Sequence, residues 1–101
     1  MKLNVTRHGE VLKVVIEGAV NIEDVEPLKT RLRELEGEKF REVILDLAQV
    51  PHMASAGIGK LLIFYKNLMI RDQKMSIKGI DGELAKLFKS LQLQDCIPIE
   101  R

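Results

Sequence analysis

The sequence predicts a single α/β domain with a mixed, mostly parallel sheet of four to five strands and helices packed on it. Short runs rich in β-branched residues alternate with longer segments whose apolar residues recur every three or four positions. Their order is β-β-α-β-α-β-α with a short strand at the end, which is typical of parallel strands joined by right-handed helical crossovers. The length of 101 residues suits one domain over residues 1–101, and the 46% hydrophobic content can supply its core.

The first half of the chain predicts a hairpin followed by a helix. The runs at 3–7 and 11–17 flank the sequence HGE, whose glycine suits a tight turn between antiparallel strands. The segment 21–37 then changes to helical spacing, and Pro27 is tolerated because it falls in the first turn. The residues expected to face inward on this helix are Val25, Leu28, Leu32 and Leu35.

The second half predicts the parallel centre of the sheet and two more helices. The almost wholly apolar run at 42–48 indicates a central parallel strand buried on both faces. A helix is predicted from Ser55, a strand over 74–79 and a third helix over 81–93, and Pro98 confines a last short strand to an edge. The residues expected to face inward are Ile58, Leu61, Leu62, Tyr65 and Leu68 or Met69 on the second helix, and Leu84, Leu87, Phe88 and Leu91 on the third.

The composition excludes several classes of partner. Sixteen basic and 15 acidic residues leave a net charge of +1, and there is no Trp, so the chain has neither a basic footprint nor aromatic platforms for nucleic acid. Cys96 is the only cysteine, which indicates a reducing compartment. The amino-terminal residues lack the apolar stretch of a secretory signal, and no apolar run has the length of a membrane span. We therefore expect a cytoplasmic protein with no membrane insertion and no direct contact with nucleic acid.

The segment 49–59, QVPHMASAGIG, is the candidate site, because it places Ser55 between a strand and a helix. A nucleotide P-loop is disfavoured, since Ala54 stands where that motif needs glycine and Leu61 where it needs Ser or Thr. A nucleophile elbow is disfavoured as well, since it needs glycine two residues before the serine and Met53 stands there.

Catalysis and metal binding lack the residues that they need. A nucleophilic serine needs a histidine oriented by a carboxylate, and His52 is too close in sequence to be aimed back at Ser55, while His8 is the only other histidine. No cluster of His, Cys, Asp and Glu has ligand spacing. The sequence therefore predicts no enzyme, no metal and no cofactor. A small hydrolase is the least favoured function for this chain.

On residue type alone, Ser55 is interpreted as a helix N-cap, worth about 1 kcal/mol. Gly57 and Gly59 follow in the first helical turn, where glycine is intrinsically unfavourable, and they leave the backbone open to close approach by another molecule. The surroundings of Ser55 therefore indicate a docking surface. A large charged residue at Gly57 or Ile58 is accordingly expected to abolish partner binding while the fold stays native.

The stretch VILDLAQVPHMASAGIGKLL resembles the signature region of the STAS domain, specifically that of the small bacterial anti-sigma factor antagonists. That signature consists of a strand, a short loop, Asp-Ser-Ser-Gly or Asp-Ser-Thr-Gly, and Leu-Gly opening a helix. The upstream IEGAVN and the closing ELAKLFKSLQLQDCIPI are similar to the corresponding parts of the family, so the resemblance spans nearly the whole chain. Ala54 and Asn21 stand where the family has Asp, and Ala56 leaves Ser55 as the only hydroxyl of the loop.

The resemblance implies a non-enzymatic partner-switching protein that regulates sigma-factor-dependent transcription. An anti-sigma factor that is also a serine kinase would phosphorylate Ser55 and release the antagonist, and a serine phosphatase would reset it. The alternative is a STAS subunit that binds the ATPase of a phospholipid-type ABC transporter through the same loop. The residues that the resemblance and the loop together assign to partner binding are Asn21, His52, Met53, Ala54, Ser55, Ala56, Gly57, Ile58 and Gly59.

Overall fold

The computed structural model describes residues 1–100, and it confirms the predicted order of the elements. The strands are β1 (Lys2–His8), β2 (Val11–Glu17), β3 (Glu42–Gln49), β4 (Lys74–Lys78) and β5 (Ile99–Glu100). The helices are α1 (Val25–Glu36), α2 (Ser55–Ile70) and α3 (Gly82–Ser90). Short 3-10 turns at Ile22–Asp24 and Leu93–Asp95 precede α1 and follow α3.

The strands form one sheet in the order β1-β2-β3-β4-β5. β1 runs antiparallel to β2, and the register that pairs His8 with Val11 is closed by Gly9, whose φ of 63° is a left-handed conformation that glycine adopts readily. β2, β3, β4 and β5 are parallel neighbours. The mixed, mostly parallel sheet is therefore confirmed, with β3 at its centre and β5 at the edge directly after Pro98.

Only one face of the sheet is fully buried. Along β3, Val43, Leu45 and Leu47 are buried, whereas the alternate residues Ile44 and Asp46 are half-buried. The prediction that this strand is buried on both faces is wrong. Each parallel strand is added next to its predecessor in the same direction, so right-handed crossovers place all three helices over the same face of the sheet.

The helices bury most of the predicted apolar faces. Confirmed as buried are Val25, Leu28, Leu32 and Leu35 on α1, Ile58, Leu61 and Leu68 on α2, and Leu84 and Phe88 on α3. Phe64 is also buried, whereas Met69 is exposed, so Leu68 is the inward member of that pair. Leu62, Tyr65 and Leu87 are only half-buried. Leu91 is 50% exposed, against the prediction, because α3 ends at Ser90. Over residues 1–100, none of the helices is both long and apolar enough to cross a membrane.

Candidate functional site

The 49–59 segment is fixed at the carboxyl-terminal edge of the sheet by backbone pairing with the loop after β2. The Gly18 N–H donates to the Gln49 carbonyl oxygen over 2.9 Å, and the Val20 N–H donates to the His52 carbonyl oxygen over the same distance. The Ala54 N–H donates in return to the Val20 carbonyl oxygen over 2.8 Å. These bonds hold the two loops side by side, because the parallel strands β2 and β3 both end there.

Asn21 continues this pairing into the start of the first helical region. Its backbone N–H donates to Asp24 Oδ2 over 2.8 Å, and the Asp24 N–H donates to the Asn21 carbonyl oxygen over 2.9 Å. The ammonium group of Met1 lies 3.9 Å from Asp24 Oδ1. Asp24 thereby fixes the turn that presents the exposed Asn21 beside the 49–59 segment, a role that the sequence did not reveal.

Ser55 is the first residue of α2 and not its N-cap, so that prediction is wrong. The N-cap is Ala54, whose φ of −61° and ψ of 145° are extended, and the Ala54 carbonyl oxygen accepts from the N–H groups of Gly57 and Ile58. The extended conformation falls on Ala54 because the bond from its N–H to Val20 aligns it with the neighbouring loop. Ser55 is exposed, and within residues 1–100 its hydroxyl makes no hydrogen bond to the protein.

The start of α2 is electrostatically suited to an anion. The backbone N–H groups of Ser55 and Ala56 find no acceptor in the part of the chain that the structure describes, as expected for the first turn of a helix. The positive end of the dipole of this 16-residue helix points the same way. The first turn also carries no acidic side chain. The free hydroxyl of Ser55 therefore lies where added negative charge is tolerated.

The residues predicted to bind a partner divide into a surface set and a supporting set. Asn21, His52, Ser55 and Ala56 are exposed, and Ala54 and Gly59 are partly exposed. Met53, Gly57 and Ile58 are buried, with Met53 only 1% exposed. The assignment of Met53 to the partner-binding residues does not fit its burial, because this side chain packs into the core beneath the loop.

Gly57 serves packing within the chain. A Cβ atom at this position would lie 3.2 Å from Met53 Cγ and 3.3 Å from Val20 Cγ1, which is tighter than ordinary van der Waals contact. Its lack of a side chain lets α2 approach the two paired loops closely. The expectation that charged residues at Gly57 or Ile58 leave the fold native is wrong, because both positions are buried. Gly59, by contrast, has open space around it.

The geometry gives no support to a serine hydrolase. His8 pairs with Val11 at the amino-terminal end of β2. Ser55 lies at the opposite, carboxyl-terminal end of the parallel strands. No hydrogen bond joins the side chains of His52 and Ser55 in the described part of the molecule. Residues 1–100 also contain no group of three His, Cys, Asp or Glu side chains placed to hold a metal ion.

Exposed apolar side chains near the loop were missed by the sequence reasoning. Ile22, directly after Asn21, is 71% exposed, and Ile63 on the outer side of α2 is 54% exposed. Met69 and Ile70 are exposed at the far end of the same helix. The available signal was that apolar residues occur on every side of α2, whereas an amphipathic surface helix has polar residues on its outer face.

Comparisons with known proteins agree with this architecture. The STAS domain family model matches residues 2–101. An anti-sigma-B factor antagonist of Staphylococcus aureus (strain NCTC 8325 / PS 47) is 25% identical over 101 residues, covering 98% of this chain and 94% of the relative.

Two solved structures show the same fold. A putative anti-sigma factor antagonist of Thermotoga maritima has a TM-score of 0.88 at 14% identity, covering 98% of this chain and 86% of that one. The Bacillus cell fate determinant SpoIIAA in its phosphorylated form has a TM-score of 0.76 at 14% identity, covering 97% of this chain and 90% of that one.

Proposed function

The chain belongs to the STAS domain family, and on that premise we propose that it is an anti-sigma factor antagonist switched by phosphorylation of Ser55. The observation that carries the proposal is the exposed, unbonded hydroxyl of Ser55 on the first residue of α2. Ser55 matches the serine that follows Asp in the family signature. The similarity to an anti-sigma-B factor antagonist and to a phosphorylated fold neighbour supports the same assignment.

The proposed reaction is phosphoryl transfer catalysed by the partner. The bond between the γ-phosphorus of ATP and its bridging oxygen breaks, the Ser55 Oγ–phosphorus bond forms, and ADP leaves. The hydroxyl proton passes to a base on the kinase, since no histidine of this chain is bonded to Ser55 among the described residues. The antagonist is thus the substrate, and its contribution is a hydroxyl held on a rigid helix end.

A phosphate on Ser55 is expected to leave the fold intact. It adds about −1.5 to −2 charge, and the helix dipole together with the free N–H groups of Ser55 and Ala56 favours an anion at this position. Ala54 and Asn21, which stand at the family's two acidic positions, add no repulsion. The kinase must accordingly orient Ser55 through groups of its own.

The phosphate weakens binding of the partner. Asn21, Ala54, Ser55 and Ala56 present small, uncharged groups that a close-fitting surface can cover. A dianion in the middle of that contact must lose its hydration, and each 1.4 kcal/mol of this cost weakens binding about tenfold. Unphosphorylated antagonist therefore holds the anti-sigma factor and frees the sigma factor, whereas phosphorylated antagonist is released. Action in the cytoplasm and reset by a serine phosphatase belong to the same proposal.

Incubation with the anti-sigma kinase of the same genome and ATP is expected to add one phosphate, because Ser55 is the only hydroxyl of the site. Intact mass spectrometry of the whole chain measures it. Ser55→Ala should stay unmodified, whereas Ser90→Ala, which removes another exposed serine on α3, should still take one phosphate. An unchanged mass, or a phosphate that persists in Ser55→Ala, would contradict the proposal. Co-purification with a transporter ATPase that Ser55→Ala leaves intact would instead favour the alternative function.

A further inference from the structure

A groove of about 200 Å³ between α1 and α2 combines apolar and basic groups. Leu32 is buried in it, and the 54% exposed Ile63 forms one wall. The remaining lining residues are the three cations Lys29, Arg33 and Lys60 together with Glu36. None of these residues was selected by the sequence reasoning as part of the site.

The charged side chains of this groove that have no ion-pair partner among the described residues are all basic. Lys29, Arg33 and Lys60 form no ion pair with any residue from 1 to 100. Glu36, the one acid, is already engaged, because both of its carboxylate oxygens accept from Asn67 Nδ2 over 3.3 Å and Arg71 Nη2 lies 3.9 Å from Oε1. Three unpaired cations around an apolar centre are a local concentration in a chain whose net charge is only +1.

The groove and the Ser55 surface share helix α2. At about 1.5 Å per residue, Lys60 lies about 8 Å and Ile63 about 12 Å along the helix from Ser55. A stable interface covers roughly 800 Å² on each partner, so one partner that covers Ser55 is large enough to reach the groove as well.

We propose that this groove docks an acidic segment of the anti-sigma factor that carries one apolar side chain. Carboxylates of the segment pair with Lys29, Arg33 and Lys60, and the apolar side chain packs on Ile63. Charge complementarity at the rim of a contact speeds association and selects among partners. This inference rests on the proposed function. It assigns to the groove a second contact, separate from Ser55, that makes the antagonist specific for its anti-sigma factor.

The test is the affinity of the unphosphorylated full-length chain for its purified anti-sigma factor in low and high salt. The paired variant Lys29→Glu/Lys60→Glu is expected to bind about tenfold or more weakly at low salt. Its affinity should also depend less on salt than that of the wild type. Lys74→Glu/Lys89→Glu makes the same change of charge at two exposed lysines that lie outside the groove, on β4 and α3, and should bind within about twofold of the wild type.

Lys29→Gln/Lys60→Gln removes the charges without reversing them, and an intermediate loss in a variant with native circular dichroism would support the proposal independently of any folding defect. Equal affinities for the groove and control variants would overturn the groove assignment alone. A wild-type chain that fails to bind the anti-sigma factor at either salt concentration would overturn the proposed function, and the groove assignment with it.

Discussion

Replacing Ala56 by glutamate is expected to weaken binding of the anti-sigma factor by about 10- to 100-fold while the fold stays intact. The side chain at this position is exposed beside Ser55, so the carboxylate projects into the proposed contact. A loss of this size corresponds to about 1.4–2.7 kcal/mol, which is within the range for a charge that a partner must cover. The helix stays stable, since an acidic side chain in the first turn interacts favourably with the helix dipole. Titration calorimetry and thermal unfolding measure the two effects.

Ser90→Glu is the matched control for Ala56→Glu. Ser90 is exposed at the end of α3, away from the 49–59 segment, and the change introduces the same side chain. It should leave the affinity within about twofold of the wild type. If Ala56→Glu binds as tightly as Ser90→Glu, the contact surface does not include the start of α2.

Replacing Gly79 by alanine is expected to lower the free energy of unfolding by about 2–4 kcal/mol. Its φ of 81° is a left-handed conformation, which costs a residue with a Cβ atom about 1–2 kcal/mol. The added Cβ would also lie 2.8 Å from Ala48 Cβ and 3.0 Å from both the Ala48 nitrogen and Asp46 Oδ1. Asp46 Oδ1 accepts from the Ala48 N–H over 2.9 Å, so this end of β3 cannot move away from the new Cβ atom without a loss of stability. Urea unfolding measures the change.

Gly82→Ala separates the two causes of that loss. Gly82 also has a positive φ, 57°, but a Cβ there meets nothing within 4 Å. It should lose only the conformational part, about 1–2 kcal/mol. An equal loss in both variants would mean that the close approach of Gly79 to β3 contributes nothing to stability.

The architecture was predictable because its signals are local. Helical spacing located the helices, and β-branched or apolar runs bounded by turn residues located the strands, since both signals are set by short segments. Whether helices cover one face of β3 or both was not predictable in this way, because an apolar run does not reveal on which face the helices will lie. That depends on the order in which the strands join the sheet, and here the order places all the helices on one face.

The sequence placed Ser55 between a strand and a helix, as the structure has it, but the roles that it gave to the residues around Ser55 were partly wrong. Serine is a better N-cap than alanine by intrinsic preference, yet Ala54 takes that position because its N–H is bonded to Val20 in another loop. The sequence suggested that Gly57 leaves the backbone open to a partner. In the structure, its lack of a side chain instead leaves room for Val20 and the buried Met53. Both errors come from contacts between loops that are distant along the chain.

The affinity of the anti-sigma factor for the chain before and after stoichiometric phosphorylation of Ser55 tests the central claim most directly. Titration calorimetry on the two forms of one preparation supplies both dissociation constants, and thermal unfolding confirms that both are folded. We expect phosphorylation to weaken binding at least about 100-fold, or 2.7 kcal/mol, because the dianion lies in the contact. Equal affinities for the two forms, with the phosphate located on Ser55, would contradict the account.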